Sequence, residues 1–115
     1  MKKIEIFRGD AINKIKFTYD DRTTWAVGND SGRSNSNPII LTKGEYIIKV
    51  RHEKYFNKLC AGAGVHFETN KHRTFSYLPD ISTKRAKDET VMTADSGKEI
   101  ISLKIIKGTL INIEQ

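Results

Sequence analysis

Cysteine is almost missing from this chain. Cys60 is the only one among 115 residues, so no intrachain disulfide can form and the fold must hold by burial and hydrogen bonding. A solitary thiol fits either a reducing compartment or a secreted module without disulfides. Long apolar runs are missing too. Nothing approaches the roughly 20 consecutive apolar residues that a membrane-spanning helix needs. Met1-Lys2-Lys3 resembles the charged start of a secretory leader, but Glu5, Arg8, Asp10, Asn13 and Lys14 interrupt any apolar stretch behind it. The expectation is a soluble chain without a signal peptide. That leaves open a cytoplasmic protein, one exported without a leader, and a domain cut from a larger secreted protein. Low-complexity tracts, linkers and internal repeats are absent, and the length suits one domain over residues 1–115. Metal-ligand spacings are the last absence. His52, His66 and His72 form no His-x-x-x-His or Cys-x-x-Cys pattern and have no helix to present them. Cys60 and His66 could pair as nucleophile and base, but nothing marks an oxyanion hole, and Cys60 reads as a small core residue. No cofactor and no enzymatic chemistry are expected.

What the chain has in abundance is period-two alternation. Ile4 with Ile6, then Ile15, Phe17 and Tyr19, then Trp25 with Val27, each place alternate side chains on one face. The pattern returns in Ile39 with Leu41, in Tyr46, Ile48 and Val50, and in Val65, Phe67 and Thr69. Each set predicts a strand with one wet face. Turn-rich clusters separate them: Asp20-Asp21, the polar stretch from Gly28 to Pro38, Lys43-Gly44, and Asp95-Ser96-Gly97. Short, regular spacing with few helix-like segments predicts an all-β antiparallel sandwich, barrel or prism. Arg51 to Ala61 could make a helical turn through Tyr55, Phe56 and Leu59, but Gly62 and Gly64 would stop it, and it reads as a structured loop. Near the end, Ile100 to Ile106 and Thr109 to Ile113 flank Lys107-Gly108, where glycine supplies the positive φ of a hairpin turn. Trp25 alternates with Val27 and reads as a core anchor; a sugar-stacking role rests on its residue type alone.

Twenty Lys and Arg against 14 Asp and Glu give a net charge of +6, a bias toward anionic partners. Lys71 and Arg73 with His72, and Lys84 and Arg85 with Lys87, could grip phosphate or sulfate groups by ion pairing, with Phe75 and Tyr77 close enough to stack. The plainer reading is a solvated loop partly neutralised by Asp88 and Glu89.

Three blocks, in order, resemble the jacalin-related lectins: Ile15 to Tyr19 followed by Gly28; Leu41 to Val50 containing Glu45-Tyr46-Ile47; and Phe67-Glu68-Thr69-Asn70. Gly97-Lys98-Glu99-Ile100-Ile101 resembles the family's lead into its penultimate strand. The likeness rests on order and separation and spans nearly the whole chain. It implies a β-prism of three Greek-key antiparallel sheets, lacking the first strand here, and metal-independent sugar binding where loops converge at one apex. In the family a Gly-x-x-x-Asp loop holds the sugar through its carboxylate and backbone amides. The ungapped match places Gly108 on the glycine and Asn112 on the aspartate, with Thr109, Leu110 and Ile111 between. An amide at Asn112 loses the charged acceptor, an expected weakening of roughly 1 kcal/mol. A competing alignment makes Lys107-Gly108 a tight hairpin and Thr109 to Ile113 the last strand, which removes the loop. Asn57 and Lys58, in the loop before Phe67, match a second contact of the family; the alternative is that Tyr55, Phe56 and Leu59 pack there while Asn57 and Lys58 stay wet. The family's Gly-rich N-terminal loop with its Trp-Asp segment has no counterpart before Lys3. Either the chain starts one strand late, or it is circularly rearranged, or the site is abandoned.

The reading is therefore a lectin-like module that binds glycans, neutral or acidic, through Gly108, Thr109, Leu110 and Asn112 with Asn57 and Lys58. A degenerate prism serving protein contacts or acting as an accessory domain is the alternative. A basic module for nucleic acid or acidic surfaces is a weaker one, marked by steep salt dependence. Self-association is expected on the ground that weak sugar sites gain from multivalency and sheet edges pair.

Overall fold

The computed structural model describes residues 1–8, 11–28, 33–34, 38–54, 61–78 and 89–115. Among these residues it is built from strands alone: β1 (Lys3–Arg8), β2 (Ile12–Thr18), β3 (Thr24–Gly28), β4 (Arg33–Ser34), β5 (Ile39–Ile40), β6 (Ile47–Glu53), β7 (Gly64–Thr69), β8 (Thr74–Tyr77), β9 (Glu89–Thr93), β10 (Ser102–Ile106) and β11 (Thr109–Glu114). They form three antiparallel sheets. The first runs β3-β2-β1, with β4 and β5 following each other along the far edge of β1. The second runs β8-β7-β6-β9. In both, a later strand returns beside the first of a three-strand meander, which is a Greek key. Among the described residues the third is the β10-β11 hairpin, two strands of the expected third Greek key.

Alternation explains the core. The register Ile4↔Phe17 and Ile6↔Ile15 stacks the apolar positions of β1 and β2 on one face, and all four are buried. Val50↔Phe67 does the same in the second sheet. The faces meet where Phe67 stands edge-on to Phe17, with ring centroids 6.0 Å apart. Leu103 and Leu110 bring the hairpin into the same cluster. The segment leading into the hairpin is tied to both other sheets: the Tyr19 hydroxyl donates to the Ile101 carbonyl at 2.5 Å, and the Ile100 amide donates to Ile47 at 2.9 Å.

The motif blocks that carry the family resemblance turn out to be bonding partners. The Tyr46 amide donates to Asn70 Oδ1 at 2.8 Å, and the Asn70 amide returns a bond to the Tyr46 carbonyl. The buried Glu45 carboxylate accepts from the Thr69 hydroxyl at 2.7 Å and the Thr42 amide at 3.0 Å. It also accepts from Arg73 Nε at 2.8 Å and from Arg73 Nη2. The guanidinium of Arg73 is the main reason that this carboxyl titrates well below the usual carboxylate range, against the opposing effect of burial.

Arg51 to Glu53 continue β6 and are not part of a loop, which corrects the sequence reading there; 55–60, including Tyr55, Phe56, Leu59 and Cys60, lie outside the described residues. The strand persists because His52 and Glu53 have buried polar partners. His52 Nε2 donates to the Ala61 carbonyl at 2.5 Å, and Gly62 leaves room for the ring, since a Cβ there would fall 2.3 Å from Nε2. Glu53 Oε2 accepts from His66 Nε2 at 2.9 Å. His66 Nδ1 lies 2.8 Å from the Ser76 hydroxyl, which donates to it when the imidazole is neutral.

Burial depresses the His52 pKa below its ordinary 6.5, with the Ala61 bond and the Glu53 charge opposing in part. Below about that pH the unfolded chain takes up a proton that the folded chain does not, so stability falls as pH drops from 6.5 toward the folded value. His52→Gln keeps a donor for Ala61 and removes the titration. Thermal unfolding at about pH 7.5 and about pH 5.5, either side of that point, should show a smaller acid-induced drop for the variant. An unchanged drop would place the acid sensitivity elsewhere.

Candidate functional site

Lys107 and Gly108 both take positive φ, 53° and 75°, and Ile106 pairs with Thr109 directly across them. This is the two-residue turn whose twist suits a hairpin. The tight-hairpin alternative therefore describes the backbone: Gly108 sits in the turn, and Thr109 starts the last strand. Leu110 is turned into the core, so its side chain packs there.

Asn112 is a different case. The ladder pairs Ile105 with Leu110 and Lys104 with Asn112, which leaves Ile111 as the extra residue of a bulge. Without a bulge, strict alternation would turn Asn112 inward like Leu110. The bulge shifts the phase, so Ile111 and Asn112 both face outward and Glu114 follows on the exposed side. Asn112 Oδ1 accepts from the Ile113 amide at 2.9 Å, which orients the side-chain amide and leaves its NH₂ as a donor.

Between the hairpin and β3 lies an open cleft of about 350 Å³. Apolar Trp25, Leu103 and Ile113 and polar Ser102, Lys104, Asn112 and Glu114 line it. Trp25 is half-buried at the sheet edge and is not sealed in the core; its ring packs on Phe17 with centroids 4.8 Å apart. A second concavity of about 450 Å³ runs past Met1, Asp20, Lys43 and Glu99, where the Glu45 carboxylate is already spent on Arg73 and its neighbours.

The basic clusters fare unevenly. Lys71 Nζ donates to the Lys43 carbonyl at 3.0 Å. Arg73 is held by Glu45, donates to the Ile40 carbonyl at 3.0 Å and lies over the Phe75 ring at 4.8 Å, so its guanidinium is engaged within the chain while its side chain stays 41% exposed. Lys84, Arg85, Asn57 and Lys58 lie outside the described residues. Of the residues expected to hold sugar, the structure brings Asn112 to a concavity. Trp25, Lys104 and Glu114, which sequence reasoning did not place with it, share that concavity. Only the i, i+2 relation of Asn112 and Glu114 was open to reading, and only once the bulge is known. Among the described residues no group of three or more His, Cys, Asp or Glu could hold a metal ion, and no helix is long and apolar enough to cross a membrane.

An all-β, three-sheet body with a side cleft and no helix among its described residues is the architecture of a β-prism. The jacalin-like lectin domain matches residues 1–112, and the chain belongs to that family. Among solved structures it is similar to a variant of Malaysian banana lectin, with a TM-score of 0.68 at 21% identity over 97% of this chain and 77% of that one, a likeness of fold. No curated protein matches by sequence.

Proposed function

We propose that this chain is a carbohydrate-binding module that works by hydrogen bonds to sugar hydroxyls, without metal and without catalysis. The observation that carries the reading is Asn112. A bulge turns it outward on the last strand, beside a cleft that Trp25 also lines. Pyranoses present hydroxyls at the rim and C–H groups on the ring face, so a site for them needs fixed donors and acceptors beside an apolar plane. The Gly108 turn supplies rigidity, and Thr109 at its end is half-buried. Asn57 and Lys58 remain the proposed second contact.

The test is a glycan array probed with wild type and Asn112→Ala, each at low and near-physiological salt. Binding to neutral glycans that survives salt and falls about tenfold in the variant, the weight of one lost polar contact, supports the reading. Binding confined to sulfated or sialylated glycans and abolished by salt points to the Lys71, Lys84 and Arg85 cluster instead. A second reading, a prism that has given up sugar for protein contacts, draws on the closed turn and on Ile106 and Ile111, each 48% exposed on the hairpin. Silence across the array would favour it.

A further inference from the structure

The outer face of the second sheet carries a chain of polar groups away from the cleft. Phe67 points into the core and pairs with Phe75, so alternation turns their neighbours His66 and Ser76 to the opposite face. On β6 the buried Val50 pairs with Phe67, and Glu53, three residues on, therefore faces out as well. The Thr69 amide donates to the Arg73 carbonyl, so alternation along the ladder makes His66 and Ser76 a non-hydrogen-bonded pair, the kind whose side chains stand closest. Ser76 Oγ lies 2.8 Å from His66 Nδ1, and His66 Nε2 lies 2.9 Å from Glu53 Oε2. The two ends differ in access: Glu53 and His66 are buried, whereas Ser76 is exposed. A carboxylate only accepts, so Nε2 carries the proton of the neutral ring and Nδ1 presents its lone pair to the Ser76 hydroxyl. Gly64 makes room for the carboxylate, because a Cβ there would fall 2.4 Å from Glu53 Oε2. A carboxylate that fixes the imidazole tautomer, and an imidazole that takes a hydroxyl proton, are what make serine a nucleophile.

We propose that Ser76 is an acyl acceptor, its hydroxyl activated by His66 so that it takes up an acyl group from an activated ester or thioester. The bond from Oγ to the acyl carbon forms as the donor's bond from that carbon to its alkoxide or thiolate breaks. The Oγ proton passes to His66 Nδ1 and from there to the departing group, so the imidazole ends neutral as it began. The chain is left covalently acylated at Ser76, with no substrate turned over. Among the described residues β8 is an edge strand of its sheet, which leaves the exposed hydroxyl open to a donor from solvent. Glu53 is a positioning residue that acts through the imidazole. The proposal is independent of the sugar reading, whose cleft lies between the hairpin and β3.

The probe is p-nitrophenyl acetate, applied to the whole chain above the ordinary histidine range, with nitrophenolate release followed in time and the acetyl group located by peptide mass mapping. A burst stoichiometric with protein is expected, with the acetyl group on Ser76. Ser76→Ala, at an exposed position, should abolish that adduct and leave thermal unfolding unchanged. His66→Gln still bridges Ser76 and Glu53 by hydrogen bonds but cannot take the proton, and should slow acetylation of Ser76 about a hundredfold, the weight of a general base. Gly64→Ala displaces the carboxylate end of Glu53 while hydroxyl and imidazole stay in place, and should slow it several-fold; it carries the same test should His66→Gln fail to fold. A role confined to holding the fold would change the unfolding temperature and leave the labelling rate of folded protein alone. Acetyl groups found only on lysine or cysteine, or on Ser76 at one rate in wild type and the His66 or Gly64 variant, would overturn the proposal and make the three groups a structural hydrogen-bond chain.

Discussion

Glu45→Ala should cost the fold about 2 kcal/mol, chiefly from a buried hydroxyl left without its acceptor, since the Arg73 side chain it releases is 41% exposed and can be solvated. The cost is measured as a lower urea midpoint at unchanged slope. The carboxylate is buried and collects bonds from Thr42, Thr69 and Arg73. Alanine leaves the buried Thr69 hydroxyl without its acceptor and the Arg73 guanidinium with only the Ile40 carbonyl and the Phe75 ring. For a domain of this size the midpoint of thermal unfolding should fall by roughly 10 °C or more. The pair also makes the fold acid-sensitive. Because Glu45 titrates below its ordinary 4.5, its contribution is present above that pH and is lost as pH falls, since only the unfolded chain then takes up the proton. The variant should therefore lose less stability on acidification than wild type. A cost under about 1 kcal/mol would mean that the pair behaves like a surface bridge, and the junction between the motif blocks would not be what holds them.

Phe67→Ala should be of similar or greater severity, about 4 kcal/mol, as removal of a buried phenyl ring leaves both lost transfer energy and a cavity. Phe67 is 0% exposed, sits between Val50 and Phe75 in its sheet and meets Phe17 edge-on from the facing sheet. Phe67→Leu keeps most of the volume and should cost about 1 kcal/mol. Against a total of about 5–15 kcal/mol for a domain, the alanine variant should be partly unfolded at modest denaturant, and near-ultraviolet circular dichroism should show it. Equal costs for alanine and leucine would mean that the site collapses freely and that the prism centre is loosely packed.

The strands legible in the sequence are those with a face of large apolar side chains. Ile15 and Phe17, Val50, Phe67 and Leu103 announce β2, β6, β7 and β10. Strand β8 was not read, although Phe75 and Tyr77 alternate with exposed Thr74 and Ser76; β9 has no apolar face to read, since Val91 is exposed while Thr90 and Met92 are half-buried. The family resemblance was readable because Glu45 and Tyr46 bond Thr69 and Asn70 across the fold, and partners held to each other keep their types and spacing. The Lys107-Gly108 turn was readable as well, since its chemistry is local. Whether Asn112 faces in or out depends on a bulge that no local pattern records, and the meeting of Trp25 with Glu114 depends on how two sheets dock. Charge misled in the same way. Arg73 looked like part of an open basic cluster, but its partner Glu45 is 28 residues away in the chain.

The smallest sheet carries a consequence for ligand recognition. With two strands, Leu103 and Leu110 as its buried apolar side chains and ties such as Tyr19 to Ile101, the β10-β11 hairpin buries less than either Greek key among the described residues, which places it toward the low-stability end of local opening. Trp25 belongs to the first sheet and Asn112 to the hairpin, so a sugar in the cleft would clasp the two together. Apparent affinity then scales with the fraction of molecules whose hairpin is seated. Substitution of Leu110, which is buried and does not line the cleft, would tune binding by changing that population, and the sugar in turn would stabilise the whole domain.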